Sequence, residues 1–151
     1  MSIIRAQYDA VIDAPPEAIY AILRDYQGGH AAILPKPYFA DLKILKGGVG
    51  AGTETLLTMK VNGRTMTYRQ RITEPQPGRV IQETEINTGQ WSRFTLEPLD
   101  GGRRTRVTIS AEQPASPGVM GLLERLFAPG VQWKIFSEEL ALLAEYIKTK
   151  A

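Results

Sequence analysis

Val11-Ile12-Asp13-Ala14-Pro15-Pro16-Glu17-Ala18-Ile19-Tyr20-Ala21-Ile22-Leu23-Arg24-Asp25-Tyr26 is the stretch on which the fold turns. Its first residues finish an alternating run, in which Ile4, Ala6, Tyr8, Ala10 and Ile12 share one face and Arg5, Gln7, Asp9 and Asp13 the other. A period of two is that of a half-buried strand. The strand stops at Asp13-Ala14-Pro15-Pro16, and proline then stands in the first turn of a helix, where its missing N–H leaves no bond unmade. Ile19, Ile22 and Leu23 follow at helical spacing and predict a short helix to about Asp25. A second short helix or turn is expected over Tyr26 to Leu34, ended by Pro35 and Pro37.

Downstream the pattern returns to strands. Leu42 and Ile44 begin the series, and a glycine-rich loop, Gly47-Gly48-Val49-Gly50-Ala51-Gly52, interrupts it. Thr55, Leu57, Met59 and Val61 alternate next. Asn62-Gly63 is then a strong hairpin signal, because both central residues tolerate positive φ. The return strand points Met66, Tyr68, Gln70 and Ile72 inward and Thr67, Arg69 and Arg71 outward. Further strands are read at 80–86, 90–96 and 104–111, joined by turns at Asn87-Thr88-Gly89 and Asp100-Gly101-Gly102. Strands joined consecutively by short turns make an antiparallel meander.

The chain closes on a long amphipathic segment. Ser116-Pro117 offers a capping hydroxyl and a proline at the first helical position. Val119, Leu123, Leu126, Trp133, Phe136, Leu140, Leu143 and Ile147 then recur at helical spacing, opposite Glu124, Lys134, Glu138, Glu145 and Lys148. Pro129-Gly130 predicts either one kinked helix or two nearly coaxial ones. The expected fold is α+β. A seven-stranded curved antiparallel sheet wraps around the long helix, with two short helices after the first strand. One helix cannot fill the concave face of such a sheet, and small or flexible inward residues (Ala6, Ala10, Met59, Met66, Met120) suit a space that is lined rather than packed.

Composition narrows the chemistry. The 151 residues predict a single ligand-binding domain over 1–151, with 43% hydrophobic and 23% charged residues. There are no cysteines and one histidine, which excludes disulfides, a catalytic thiol and a His-rich metal site. No metal and no cofactor are expected. The net charge of +2 and the isolated Arg103-Arg104-Thr105-Arg106 run, with no interleaved aromatics, argue against nucleic-acid binding. Neither a signal peptide at Met1-Ser2-Ile3-Ile4-Arg5 nor a membrane anchor is read, and the expected location is the cytoplasm.

Three pieces together resemble the START-like, or helix-grip, superfamily of polyketide cyclases, lipid-transfer domains and the major birch pollen allergen. They are Val11 to Tyr26, similar to that family's opening strand and helix, then Gly48-Val49-Gly50-Ala51-Gly52-Thr53, and the closing helix. The resemblance covers essentially the whole chain. It implies a helix gripped by a seven-stranded sheet around an apolar cavity, and it carries no catalytic motif onto particular residues.

The candidate cavity residues are Tyr8, Leu57, Met59, Met66, Tyr68, Gln70 and Phe94 from the strands and Met120, Leu123, Phe127 and Trp133 from the long helix. Gly48, Gly50 and Gly52 are the candidate gating loop; a phosphate cradle is argued against, since the loop leads into a strand. Trp91 is read as outward or at an edge, where it could mark a homodimer contact. For catalysis the candidates are His30, Glu83, Glu85 and Tyr68. A surface or helix-end position is the default for His30, whose sequence-near orienting carboxylates are Asp25 and Asp41. Glu83 and Glu85 share one face of strand 80–86 in an ambiguous register, and the cost of burying unpaired carboxylates favours the outward one. The leading expectation is binding or transport of a hydrophobic or amphipathic small molecule. A polyketide cyclase or dehydratase is the alternative, and a chaperone-regulator type of interaction module is a third.

Overall fold

The computed structural model describes residues 3–36 and 38–150; Met1, Ser2, Pro37 and Ala151, including the expected stop at Pro37, lie outside the described residues. The chain order is β1 (Ile3–Ile12), α1 (Pro16–Arg24), α2 (Gly29–Ala32), β2 (Phe39–Lys46), β3 (Glu54–Val61), β4 (Arg64–Gln76), β5 (Val80–Glu85), β6 (Trp91–Leu99), β7 (Arg104–Pro114) and α3 (Gly118–Lys148). All seven strands form one sheet in the order β1-β7-β6-β5-β4-β3-β2, with every pair antiparallel.

Each early element follows from its local chemistry. Along β1 the inward residues Ile4, Ala6 and Ile12 are buried while Arg5, Gln7 and Asp9 are exposed. Proline at its start and Glu17 in its first turn favour α1, whose buried face is Ile19, Tyr20, Ile22 and Leu23. The β3–β4 turn has Asn62 at φ 52° and Gly63 at φ 78°, the left-handed pair that a tight hairpin needs.

The core sits where α1 and the second half of α3 meet the sheet. Ile19, Leu23, Ile33, Ile72, Ile81, Phe94, Val107, Ile109, Leu140 and Leu143 are almost wholly buried there. α3 runs unbroken from Gly118 to Lys148 with Pro129 inside it, so the proline costs a backbone hydrogen bond without ending the helix. The expected Ser116 cap is not formed. The helix starts one residue after Pro117, and Glu124 reaches back to the Ser116 hydroxyl and its N–H. α3 makes its main strand contact with β1, at one end of the sheet. Its first turns stand off from the concave face, which leaves an internal space.

Candidate functional site: an apolar cavity with a buried acid cluster

The space between α3 and the sheet is a cavity of about 450 Å³, within the size range of small-molecule sites. β3 and β4 give it Leu57, Met59, Met66, Tyr68 and Gln70, and β6 gives it Phe94. From α3 come Met120, Leu123 and Phe127, then Ile135 and Phe136 deeper in. Phe127 is 66% exposed although it lines the cavity, so the mouth opens beneath the first turns of α3.

Two expected lining residues stand elsewhere. Tyr8 and Trp133 do not border the cavity; their rings meet edge to face at 4.8 Å, where α3 crosses β1. Trp91 is half-buried at the start of β6, borders the cavity, and carries the Arg93 guanidinium 4.7 Å above its ring.

The glycine loop is not among the lining residues either. It is clasped to the back of the fold: Gly50 N–H donates to the Arg24 carbonyl (2.8 Å), Gly52 N–H to the Ile72 carbonyl (3.0 Å) and Tyr26 N–H to the Gly48 carbonyl (2.9 Å). Glu74 completes the clasp by accepting from Tyr20 Oη (2.8 Å), Arg24 Nε (3.1 Å) and Ala51 N–H (2.9 Å). Burial and the bond to Glu74 push the Tyr20 phenol up to about 12. These bonds tie the loop to α1, to β4 and to the turn after α1.

His30 is where the structure departs furthest from expectation. It is buried, at 2% exposure, in the cavity wall. Gly29 permits this. A Cβ at that position would lie 2.9 Å from Ile22 Cγ2 and 3.1 Å from the Ile22 carbonyl oxygen, so a bare glycine lets α2 press against α1. Asp25, expected as an orienting carboxylate, instead accepts the Gly28 and Gly29 N–H groups, and Asp41 is exposed on β2. His30 Nδ1 lies 2.6 Å from the Leu23 carbonyl oxygen, and Nε2 lies 3.2 Å from Glu83 Oε2. Both partners are acceptors, an arrangement that favours a ring protonated on both nitrogens.

Glu83 and Glu85 point inward, which corrects the outward reading. Along β5, Ile81, Glu83 and Glu85 are the buried set and Val80, Gln82 and Thr84 the partly exposed one. Burial is costly for a lone carboxylate, and neither of these is alone. Glu83 receives Tyr26 Oη at 2.7 Å, Ser92 Oγ at 2.9 Å and the His30 ring. Glu85 receives the backbone N–H groups of Arg69 (2.6 Å) and Asn87 (2.7 Å), pins the β5–β6 turn and does not line the cavity.

The electrostatics follow from that geometry. Burial pushes the Glu83 carboxyl up, but the His30 bond and charge, with the Tyr26 and Ser92 hydroxyls, outweigh it and hold Glu83 below the ordinary carboxylate range. Burial pushes His30 down, and Glu83 more than restores it, so its value ends above the ordinary one. Tyr26, stacked on His30 at 4.2 Å, is raised well above the ordinary phenol value by burial and by Glu83.

A third acid completes the cluster. Glu139 on α3 lines the cavity at 4% exposure, and burial, with Glu83 nearby, pushes it up to about 8. The sequence reading missed Glu139, Tyr26 and Ser92. Glu139 did leave a signal, a carboxylate on the apolar stripe between Phe136 and Leu143. Among the described residues no group of His, Asp and Glu is arranged to hold a metal ion, and no helix is long and apolar enough to cross a membrane.

The arrangement can therefore enclose an apolar body and meet its polar end with a neutral carboxyl. Solved structures share the fold. The KanY protein superposes with a TM-score of 0.83 at 26% identity, over 98% of this chain and 99% of that one. The Zhui aromatase/cyclase from Streptomyces sp. R1128 gives 0.77 at 18% identity, over 97% of this chain and 94% of that one. A START superfamily protein from Mycobacterium smegmatis gives 0.73 at 16% identity, over 97% and 99%. A comparison with curated proteins finds no match. The model of the family described as polyketide cyclase / dehydrase and lipid transport matches residues 4–148, and the chain belongs to that family.

Proposed function

We propose that this protein binds a hydrophobic or amphipathic small molecule in the cavity between α3 and the sheet, with the polar end of the ligand at Glu139. The observation that carries this reading is the cavity itself, about 450 Å³ of largely apolar surface with one buried acid cluster at its inner end. An ordinary core would have closed such a space, because unfilled volume costs stability.

Uptake of phenylnaphthylamine, an uncharged dye that fluoresces in apolar surroundings, tests it. The protein should bind the dye at a single site, and Met66→Trp, which fills the cavity from β4, should weaken that binding by at least about tenfold. Equal uptake by the variant, with the fold intact by circular dichroism, would sink the proposal.

A second reading, catalysis on the bound molecule, has an observation of its own. A carboxyl with a value of about 8 sits inside the cavity, poised to exchange a proton near neutral pH. This reading agrees with the cyclase and dehydrase members of the family. It requires that Glu139→Gln abolish turnover of a β-ketone substrate while leaving its binding intact; loss of binding alone would favour the first reading.

A further inference from the structure

The apolar stripe of α3 runs the length of the helix, but only half of it has a partner. Val119, Leu122, Leu126, Pro129 and Trp133 recur at alternating steps of three and four, and Phe136, Leu140, Leu143 and Ile147 carry the same steps onward. That is the spacing of a helix seam. In the second half, Phe136, Leu140 and Leu143 are buried in the core. In the first half, Val119, Leu122, Leu126 and Trp133 are each more than half exposed, and none of the four borders the cavity. The cavity is lined by other residues of the same turns, Met120, Leu123 and Phe127. This part of α3 is therefore apolar on its outer side as well as its inner one, the pattern of a helix covered on both.

Charge, area and shape together say what covers it. Residues 118–133 hold one acid and one base, Glu124 and Arg125, and no seam position is charged. The seam thus offers no net charge to hold an anionic bilayer or to match an acidic or basic partner. With Phe127 beside it, the seam exposes on the order of 600 Å² of apolar surface per chain, as much as the largest patch of an ordinary monomer and what each partner gives at the lower bound of a specific interface.

A two-fold interface needs a patch that matches itself. Reversed about Leu126, this seam does: the small Val119 falls opposite the large Trp133, and Leu122 falls opposite Gly130. A Cβ at Gly130 would meet nothing within 4 Å, so the position is an open hole for a leucine. Trp133 is already held by Tyr8, ring against ring at 4.8 Å, so ordering it at an interface costs little. A parallel pair would set Trp133 on Trp133 and Val119 on Val119, crowding one end and leaving a gap at the other.

We infer that a second copy of this chain covers the seam: two α3 helices pack antiparallel over 119–133, with Leu126 against Leu126 on the two-fold axis. The inference is independent of what the cavity binds.

Sedimentation velocity at about 50 μM should find the parent protein at twice the chain mass. Leu126→Glu sets two carboxylates face to face on the axis and should raise the dimer dissociation constant at least about thirtyfold. Its circular dichroism should match that of the parent, since Leu126 is exposed in the single chain and lies outside the cavity. The chain has no cysteine, so a single introduced thiol reports its own neighbours. Under mild oxidation Leu126→Cys should cross-link to a dimer. Val119→Cys should not, because an antiparallel pair holds the two copies of that position about 20 Å apart. A monomeric parent, a dimer that Leu126→Glu leaves intact, or cross-linking at position 119 as readily as at 126 overturns the inference. Co-sedimentation of the parent with phosphatidylcholine–phosphatidylglycerol vesicles, lost in Leu126→Glu, would assign the seam to a bilayer and overturns it too. Should Leu126→Glu not fold, the two cysteine variants decide the matter.

Discussion

Both ring nitrogens of His30 are committed, one to the Leu23 carbonyl and one to Glu83, so the imidazole holds a carboxylate in place instead of offering itself to a ligand. Removing it should expose the cost of the pair. His30→Phe leaves Glu83 charged and buried without its cation, and a loss of about 3–5 kcal/mol in urea unfolding is expected. Adding Glu83→Gln to the same chain should recover part of that loss. The pH dependence has a definite sign. Glu139 stands near 4.5 in the unfolded chain and about 8 in the folded one, so the folded state keeps a proton that the unfolded chain releases, and stability falls as pH rises between those values. His30 acts in the same direction: its contribution is complete below its ordinary value of 6.5 and is lost as pH rises through the raised folded value. Glu83, with a lowered value, contributes above 4.5 and loses that contribution on acidification. Urea titrations at a series of pH values should therefore find Glu139→Gln more stable than the parent by roughly 1–3 kcal/mol at pH 8, with little difference near pH 5. A variant no more stable than the parent at the alkaline end would contradict the assignment. Glu139 left a local signal on the apolar stripe of α3, but the pairing of His30, Glu83, Tyr26 and Ser92 was not legible in any one window. The sequence favours an outward Glu83 in an ambiguous register, since the donors that make its burial bearable come from the turn after α1, from α2 and from β6, and only the folded chain brings them together.

At the scale of elements the alternating strands were readable, because one buried face imposes a period of two directly on the sequence. β1 and β4 follow their expected inward sets, Ile4 to Ile12 and Met66 to Ile72. β5 was not readable, since Ile81-Glu83-Glu85 is no more apolar than Val80-Gln82-Thr84. The glycine loop follows a different constraint. Its glycines answer to backbone geometry and close contact: Gly50 sits at φ 71°, where a Cβ would lie 2.2 Å from an Arg24 guanidinium nitrogen. Glu74 is the residue that holds this loop, through Tyr20, Arg24 and Ala51. Glu74→Ala should cost about 1–3 kcal/mol and speed hydrogen exchange at the Ala51 amide. Dye uptake by the cavity should not change, because the loop lies outside it. A fall in dye affinity in that variant would favour a gating role for the loop.

For the whole molecule, the decisive relation is between a curved sheet and a helix that leans on one end of it. α3 contacts β1 and stands away from the strands beyond, so the cavity follows from the topology, with Met and Phe side chains lining the gap. That much could be anticipated from the order of elements. What the order does not show is when the parts can meet. β2 to β6 join their neighbours in sequence, but the sheet partner of β1 is β7, with Ile12 opposite Thr105 and Ile3 opposite Pro114. On a ribosome, β1 therefore waits for on the order of 90 residues, some 5–20 s at ordinary elongation rates, with the apolar face of Ile4, Ala6, Tyr8 and Ile12 unpaired. Chains stalled before β7 has left the exit tunnel should be cut readily within β1 by added protease, and chains stalled after α3 has emerged should resist. During that interval the nascent protein presents a sticky, edge-competent strand, and its yield in a cell depends on what shields that strand until the last strand arrives.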